Sequence, residues 1–98
     1  MPKYFPRQLL YRIRNEIPLP SLVVELQWPH KTRDGRFCLL CPRCGELIAV
    51  VNPRTNLARC FRCEVNFNTI DLTMSIKAYD FVEAVHFLEP LLPTSTAS

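Results

Sequence analysis

Glycine is almost missing from this 98-residue chain, which has only Gly35 and Gly45. With so little glycine and 48% hydrophobic residues, the composition is that of a folded domain and not of a disordered, low-complexity segment. Long apolar runs are also missing, and none approaches the ~20 residues that a membrane-spanning helix requires. The opening stretch, MPKYFPRQLLYRIRNEI, lacks the apolar centre of a secretory signal. Its arginines follow an amphipathic pattern, as in a mitochondrial presequence, but it holds no serine and suits a domain helix better. Two catalytic features are absent as well. There is no nucleophile–base set, and there are no clustered carboxylates of the kind that hold two catalytic metal ions. Independent catalysis is not expected. The expected location is cytoplasmic, where paired cysteines bind metal or do redox work more often than they form structural disulfides.

Cysteine is the residue the chain does supply. Four of its five cysteines form the pattern Cys-x₂-Cys-x₁₅-Cys-x₂-Cys at Cys41, Cys44, Cys60 and Cys63. A Cys-x-x-Cys pair in a tight turn directs two thiolates at one ion, and two such turns complete a tetrahedron around Zn²⁺. Gly45, directly after the second cysteine, lets the first turn close without a Cβ clash. The second turn has Glu64 at that place. An iron–sulfur cluster also takes four cysteines, and Cys38 extends the first pair to Cys-x-x-Cys-x-x-Cys. Separate redox dithiols would be expected at helix starts instead. Symmetric pairs on hairpins favour a single structural Zn²⁺, whose four thiolates leave no open position for a catalytic water. Cys38, between Phe37 and Leu39, reads as a small buried hydrophobe. His30 and His86 are not needed as ligands.

The flanking sequence predicts an α+β fold. Leu9, Leu10, Ile13 and Ile17 recur at helical spacing after Pro6, and Pro18 stops the pattern. A short apolar stretch follows Pro20, with Ser21 a candidate N-cap. Asp34-Gly35 marks a tight turn between two strands, PHKTR and RFCLL. ELIAVV and LARCF read as two more strands, joined by the turn residues NPRTN. Asn68 with Asp71, and Asp80 with Glu83, form capping boxes that open two helices. In the second helix Phe81, Ala84, Val85 and Leu88 share a face. The expected organisation is one domain over 1–90, with an N-terminal helix extension over 1–20. The hairpins that carry the cysteines follow over 21–67, C-terminal helices over 68–90 and a flexible tail over 91–98.

Charge is uneven along the chain. Residues 31–62 carry Lys31, Arg33, Arg36, Arg43, Arg54, Arg59 and Arg62 against Asp34 and Glu46, whereas residues 63–98 carry Lys77 against five acidic residues. A basic patch around the cysteines would attract phosphates, although a solvated basic surface needs no ligand. On LARCF the two-residue period of a strand puts Leu57, Arg59 and Phe61 on one face. An arginine beside an aromatic, near Arg43 and Arg62, can pair a phosphate with a stacked base. Alternatively, Phe61 packs beneath the metal site as core.

The order of these motifs resembles the zinc-binding domain of bacterial and phage DNA primases. The match runs from about Leu22 to Leu88: a basic hairpin, CPRC, a strand, the NP turn, CFRC, then NTIDL and FVEAVHFL. Cys44 stands where that family usually has histidine, an exchange that zinc tolerates. The resemblance implies a zinc ribbon, a small antiparallel sheet flanked by N-terminal and C-terminal helices. It also implies binding of single-stranded DNA in replication priming or template recognition, and with the basic segment and the shared strand face this makes Arg43, Arg54, Arg59, Phe61 and Arg62 the expected contacts. A polymerase domain or a replication helicase would then be a protein partner, and the chemistry would reside there. A second class of function remains: a zinc-stabilised interaction module that docks on a protein, through its acidic C-terminal helices, without touching DNA.

Overall fold

The computed structural model describes residues 5–93. Two helices, α1 (Arg7–Glu16) and α2 (Leu19–Glu25), lead into five strands: β1 (His30–Arg33), β2 (Arg36–Leu39), β3 (Ala49–Asn52), β4 (Leu57–Cys60) and β5 (Val65–Phe67). Helices α3 (Thr69–Lys77) and α4 (Phe81–Leu88) and a 3₁₀ turn (Glu89–Leu91) close the chain. The fold class is α+β, as expected. No helix among the described residues is long and apolar enough to cross a membrane.

The strands form an antiparallel meander in the order β1-β2-β3-β4-β5. One cross-strand row runs His30, Leu39, Ala49, Cys60, Val65, and the next runs Lys31, Cys38, Val50, Arg59, Asn66. Side chains alternate across a sheet, so these rows face opposite ways. Leu39, Ala49 and Cys60 of the first row are fully buried. They pack with Ile13, Leu19, Leu22, Leu72, Val85 and Leu88 from the helices into one core. The second row lies on the outer face with Arg33 and Arg36, two positions along. On that face Cys38 is buried, and it stands outside the group of four cysteines.

Both capping boxes form. The Asn68 side chain accepts from the Asp71 N–H at 2.8 Å, and the Asp80 side chain accepts from the Glu83 N–H at 2.8 Å. Helix α3 is joined to α1 where the Thr69 hydroxyl donates to the Ile13 carbonyl at 2.8 Å. Ile13 and Ile17 enter the core, so α1 packs as part of the domain.

Several expectations change. Helix α2 starts at Leu19 with Pro18 as N-cap, and Ser21 is an exposed residue within it, not a cap. Pro20 is tolerated because N–H groups in a helix's first turn have no intrahelical partner. The boundary at 20/21 therefore falls inside α2, and the hairpins begin at His30. Strand β3 is shorter than ELIAVV, because the Glu46 carbonyl is taken by the Cys41 N–H at 2.8 Å. Phe81 is 40% exposed, although Phe5 packs against its edge. Of the expected tail, Leu91 and Leu92 pack against the core, Pro93 is exposed, and residues 94–98 lie outside the described residues.

Candidate metal centre and the groove beside it

The two Cys-x-x-Cys turns repeat one local structure. The Gly45 N–H donates to the Cys41 carbonyl at 2.9 Å, and the Glu64 N–H donates to the Cys60 carbonyl at 2.7 Å. Both closing residues are left-handed, Gly45 at φ 74° and Glu64 at φ 57°. The second turn thus keeps the shape without the glycine, at a cost of about 1 kcal/mol for a side chain in that region. Backbone amides support the sulfurs. The Arg43 N–H points at Cys41 Sγ and the Cys63 N–H at Cys60 Sγ, each at 3.4 Å.

Four thiols meet between the turns. Cys41 Sγ lies 3.9 Å from Cys63 Sγ, and Cys44 Sγ lies 3.7 Å from Cys60 Sγ. All four sulfurs fall within 4.8 Å of one another. A single ion bound tetrahedrally at about 2.3 Å from each sulfur would separate the sulfurs by about 3.8 Å. The donor set therefore fits one metal ion, and its four places are filled by thiolates. A multi-iron cluster would spread its cysteines over different iron atoms and push the sulfurs further apart. His30 and His86 are elsewhere: His30 stacks on Phe37, and His86 packs against Phe5.

Without an ion the thiols differ in acidity. Desolvation pushes Cys63 up to about 12, aided by hydrogen bonds with its neighbour thiols, and desolvation raises Cys44 too. Cys60 feels the same desolvation, yet the Cys63 N–H, the Cys41 and Cys44 thiols and the Arg62 N–H hold it down to about 7. Cys44 and Cys63, both raised, must each give up a proton to bind a metal. Metal affinity therefore rises with pH and falls on acidification. Calorimetry in two buffers at pH 7 should find at least two protons released per ion. Release of fewer than two would contradict the raised Cys44 and Cys63.

A groove of about 410 Å³ lies on the outer sheet face next to this centre. Arg36, Val50, Asn52, Arg59, Phe61 and Asn66 line it. Phe61 is 62% exposed, which excludes the core role. The Arg59 guanidinium lies over its ring, 5.7 Å from the centroid. An exposed aromatic ring with two guanidinium groups in one groove can hold a flat ring beside an anion.

Of the residues expected to share a binding surface, the structure brings together Arg59 and Phe61. Arg62 turns to the metal side, where it lies 3.7 Å from Glu46 on the first turn's far end. Both partners are more than half exposed, so the pair contributes under about 1 kcal/mol. Arg43 sits in the first cysteine turn, and Arg54 in the exposed β3–β4 turn, its N–H held by Asn52 Oδ1 at 2.9 Å. Sequence reasoning missed Arg36 and Asn66 as groove residues. Only the strand register aligns them with Arg59. The chain matches no protein-family model and no curated protein sequence.

Proposed function

We propose that this chain is a zinc-stabilised module that binds single-stranded nucleic acid on the outer face of its sheet, in the manner of a primase zinc ribbon. The observation that carries the reading is Phe61, an exposed aromatic set beside Arg59 in a basic groove. Zinc is the reading for the metal because soft thiolates in a tetrahedron suit it and no redox role is called for. Bound there, it ties the two cysteine turns together and so holds Phe61, which lies between two ligands, at the groove's edge. A base stacks on Phe61, while Arg59 and Arg36 pair with phosphates and Arg54 and Arg43 extend the positive field. Such a surface holds a strand with little sequence preference. The template and priming role follows from the motif order alone, and any primer synthesis belongs to a partner polymerase domain or helicase complex.

The charge pattern supports this surface over docking through the C-terminal helices. Asp71, Asp80 and Glu83 are committed to the capping boxes of α3 and α4. Their presence is explained by helix termini, whereas neither Arg36 nor Arg59 has an acidic partner among the described residues.

Titration of a single-stranded oligonucleotide at several salt concentrations tests the proposal. With three to five phosphates contacted, log K should fall against log[salt] with a slope of roughly −2 to −4. Phe61→Ala should cost roughly 1–3 kcal/mol of binding with the slope unchanged. Arg59→Ala should flatten the slope by about 0.7. Because Phe61 is exposed, its loss should leave metal content and stability near wild type. A metal-loaded protein that binds no single strand at ~50 mM salt would instead favour the protein-docking module.

A further inference from the structure

The groove accounts for the outer sheet face but not for the outward face of α1. Arg7, Tyr11 and Arg14 lie at i, i+4 and i+7, which aligns them along one side of the helix. The buried Ile13 and Ile17 lie on the adjoining side, and Arg14, next to them, is half-buried. Tyr11 is 59% exposed, an unusual position for a large ring with core available nearby. The neighbouring cation Arg12 is occupied, its Nε 3.0 Å from Glu16 Oε1. Arg7 and Arg14 have no acidic partner among the described residues. The face thus carries exposed Arg7 and half-buried Arg14, neither with an acidic partner among the described residues, and an aromatic ring between them, the same chemistry as the groove.

The two surfaces are also joined. Asn56, at the end of the β3–β4 turn, donates from Nδ2 to the Arg14 carbonyl at 2.8 Å. Asn52, Pro53 and Thr55 of that turn form one wall of the groove. The last turn of α1 is therefore fixed to the end of the turn that forms the groove wall, and Arg54 of that turn is exposed.

We infer that the Arg7–Tyr11–Arg14 face of α1 is a second contact site for the same nucleic-acid strand, which leaves the groove over the β3–β4 turn. This rests on the single-strand reading of the groove. Arg7 and Arg14 pair with phosphates, and Tyr11 stacks on one base. The continuity with the groove is what selects a strand over an acidic protein segment as the occupant.

The test compares two thymidine oligonucleotides on the full chain with metal bound. The protein's longest dimension is 39 Å. At a stacked rise of about 3.4 Å per nucleotide, about 12 nucleotides cross it, whereas about 4 fill the groove alone. Wild type should bind the longer strand more tightly and with a steeper salt slope. The double variant R7Q/R14Q should flatten that slope by about 1.4, two phosphates at about 0.7 each, and leave the short strand unaffected. Tyr11→Ala should weaken only the longer strand, with no change of slope. Glutamine keeps helix propensity, and unchanged circular dichroism and metal content verify the fold. If both lengths bind wild type but R7Q/R14Q matches it on the longer one, the second site is refuted and the groove stands. If wild type binds neither length, the groove reading fails and takes this inference with it.

Discussion

A strong chelator should unfold the chain, and Cys60→Ser should yield protein without metal or a cooperative fold. The ligands come from the β2–β3 connection and from the two ends of the β4–β5 turn, so a bound ion closes the sheet's central hairpins on one another. Structural zinc contributes an apparent ~10–16 kcal/mol in small metal-folded domains. A domain of this size has a total stability of about 5–15 kcal/mol, so metal binding is comparable to the whole. The side chain of Cys60 is fully buried, so serine there places a hydroxyl among three thiolates. Metal analysis with far-ultraviolet circular dichroism reads the effect. Cys38→Ser is the control, and it should keep its metal because Cys38 stands outside the four-thiol group. A folded, metal-loaded Cys60→Ser would overturn the ligand assignment.

The second large effect is expected at Asn56. Its Oδ1 accepts from the Leu19 N–H at 3.0 Å, and its Nδ2 donates to the Arg14 and Ile17 carbonyls at 2.8 and 2.7 Å. One buried amide thereby serves the end of α1 and the start of α2 together. It also occupies the left-handed region, at φ 55°, where asparagine is tolerated better than alanine. Asn56→Ala leaves a buried donor and two carbonyls without partners and adds backbone strain, for a loss of about 3 kcal/mol. For a chain of this length that lowers the melting temperature by roughly 12–24 °C. Asn56→Asp should be at least as damaging, since its carboxylate would face two carbonyl oxygens. Thermal melts of both variants decide the matter. A shift of only a few degrees for Asn56→Ala would show that the amide network is dispensable.

The parts of this fold that were legible in the sequence are those whose partners are near neighbours. Asn68 and Asp71, or Asp80 and Glu83, meet within one helical turn, so the pattern and the bond are the same observation. The Asp34-Gly35 turn and the two cysteine turns are similarly local, and the matched spacing of the cysteine pairs pointed to the four thiols that lie together. Asn56 was read only as part of a turn, because its partners lie 37 to 42 residues away. Strand β5 has three residues, too few for alternation to register. Arg36 entered the groove through strand pairing, and Phe61 was ambiguous because its exposure depends on where β4 stops. That strand ends at Cys60, and the cysteine turn swings the next residue outward.

The claim that the outer sheet face is the binding surface can be mapped directly. Amide chemical shifts of the metal-loaded protein would be followed as a single-stranded oligonucleotide is added. The account predicts that shifts concentrate at Arg36, Asn52, Arg59, Phe61 and Asn66, while core amides such as Leu72 and Val85 stay in place. Shifts confined to α3 and α4, or none at saturating oligonucleotide, would contradict it.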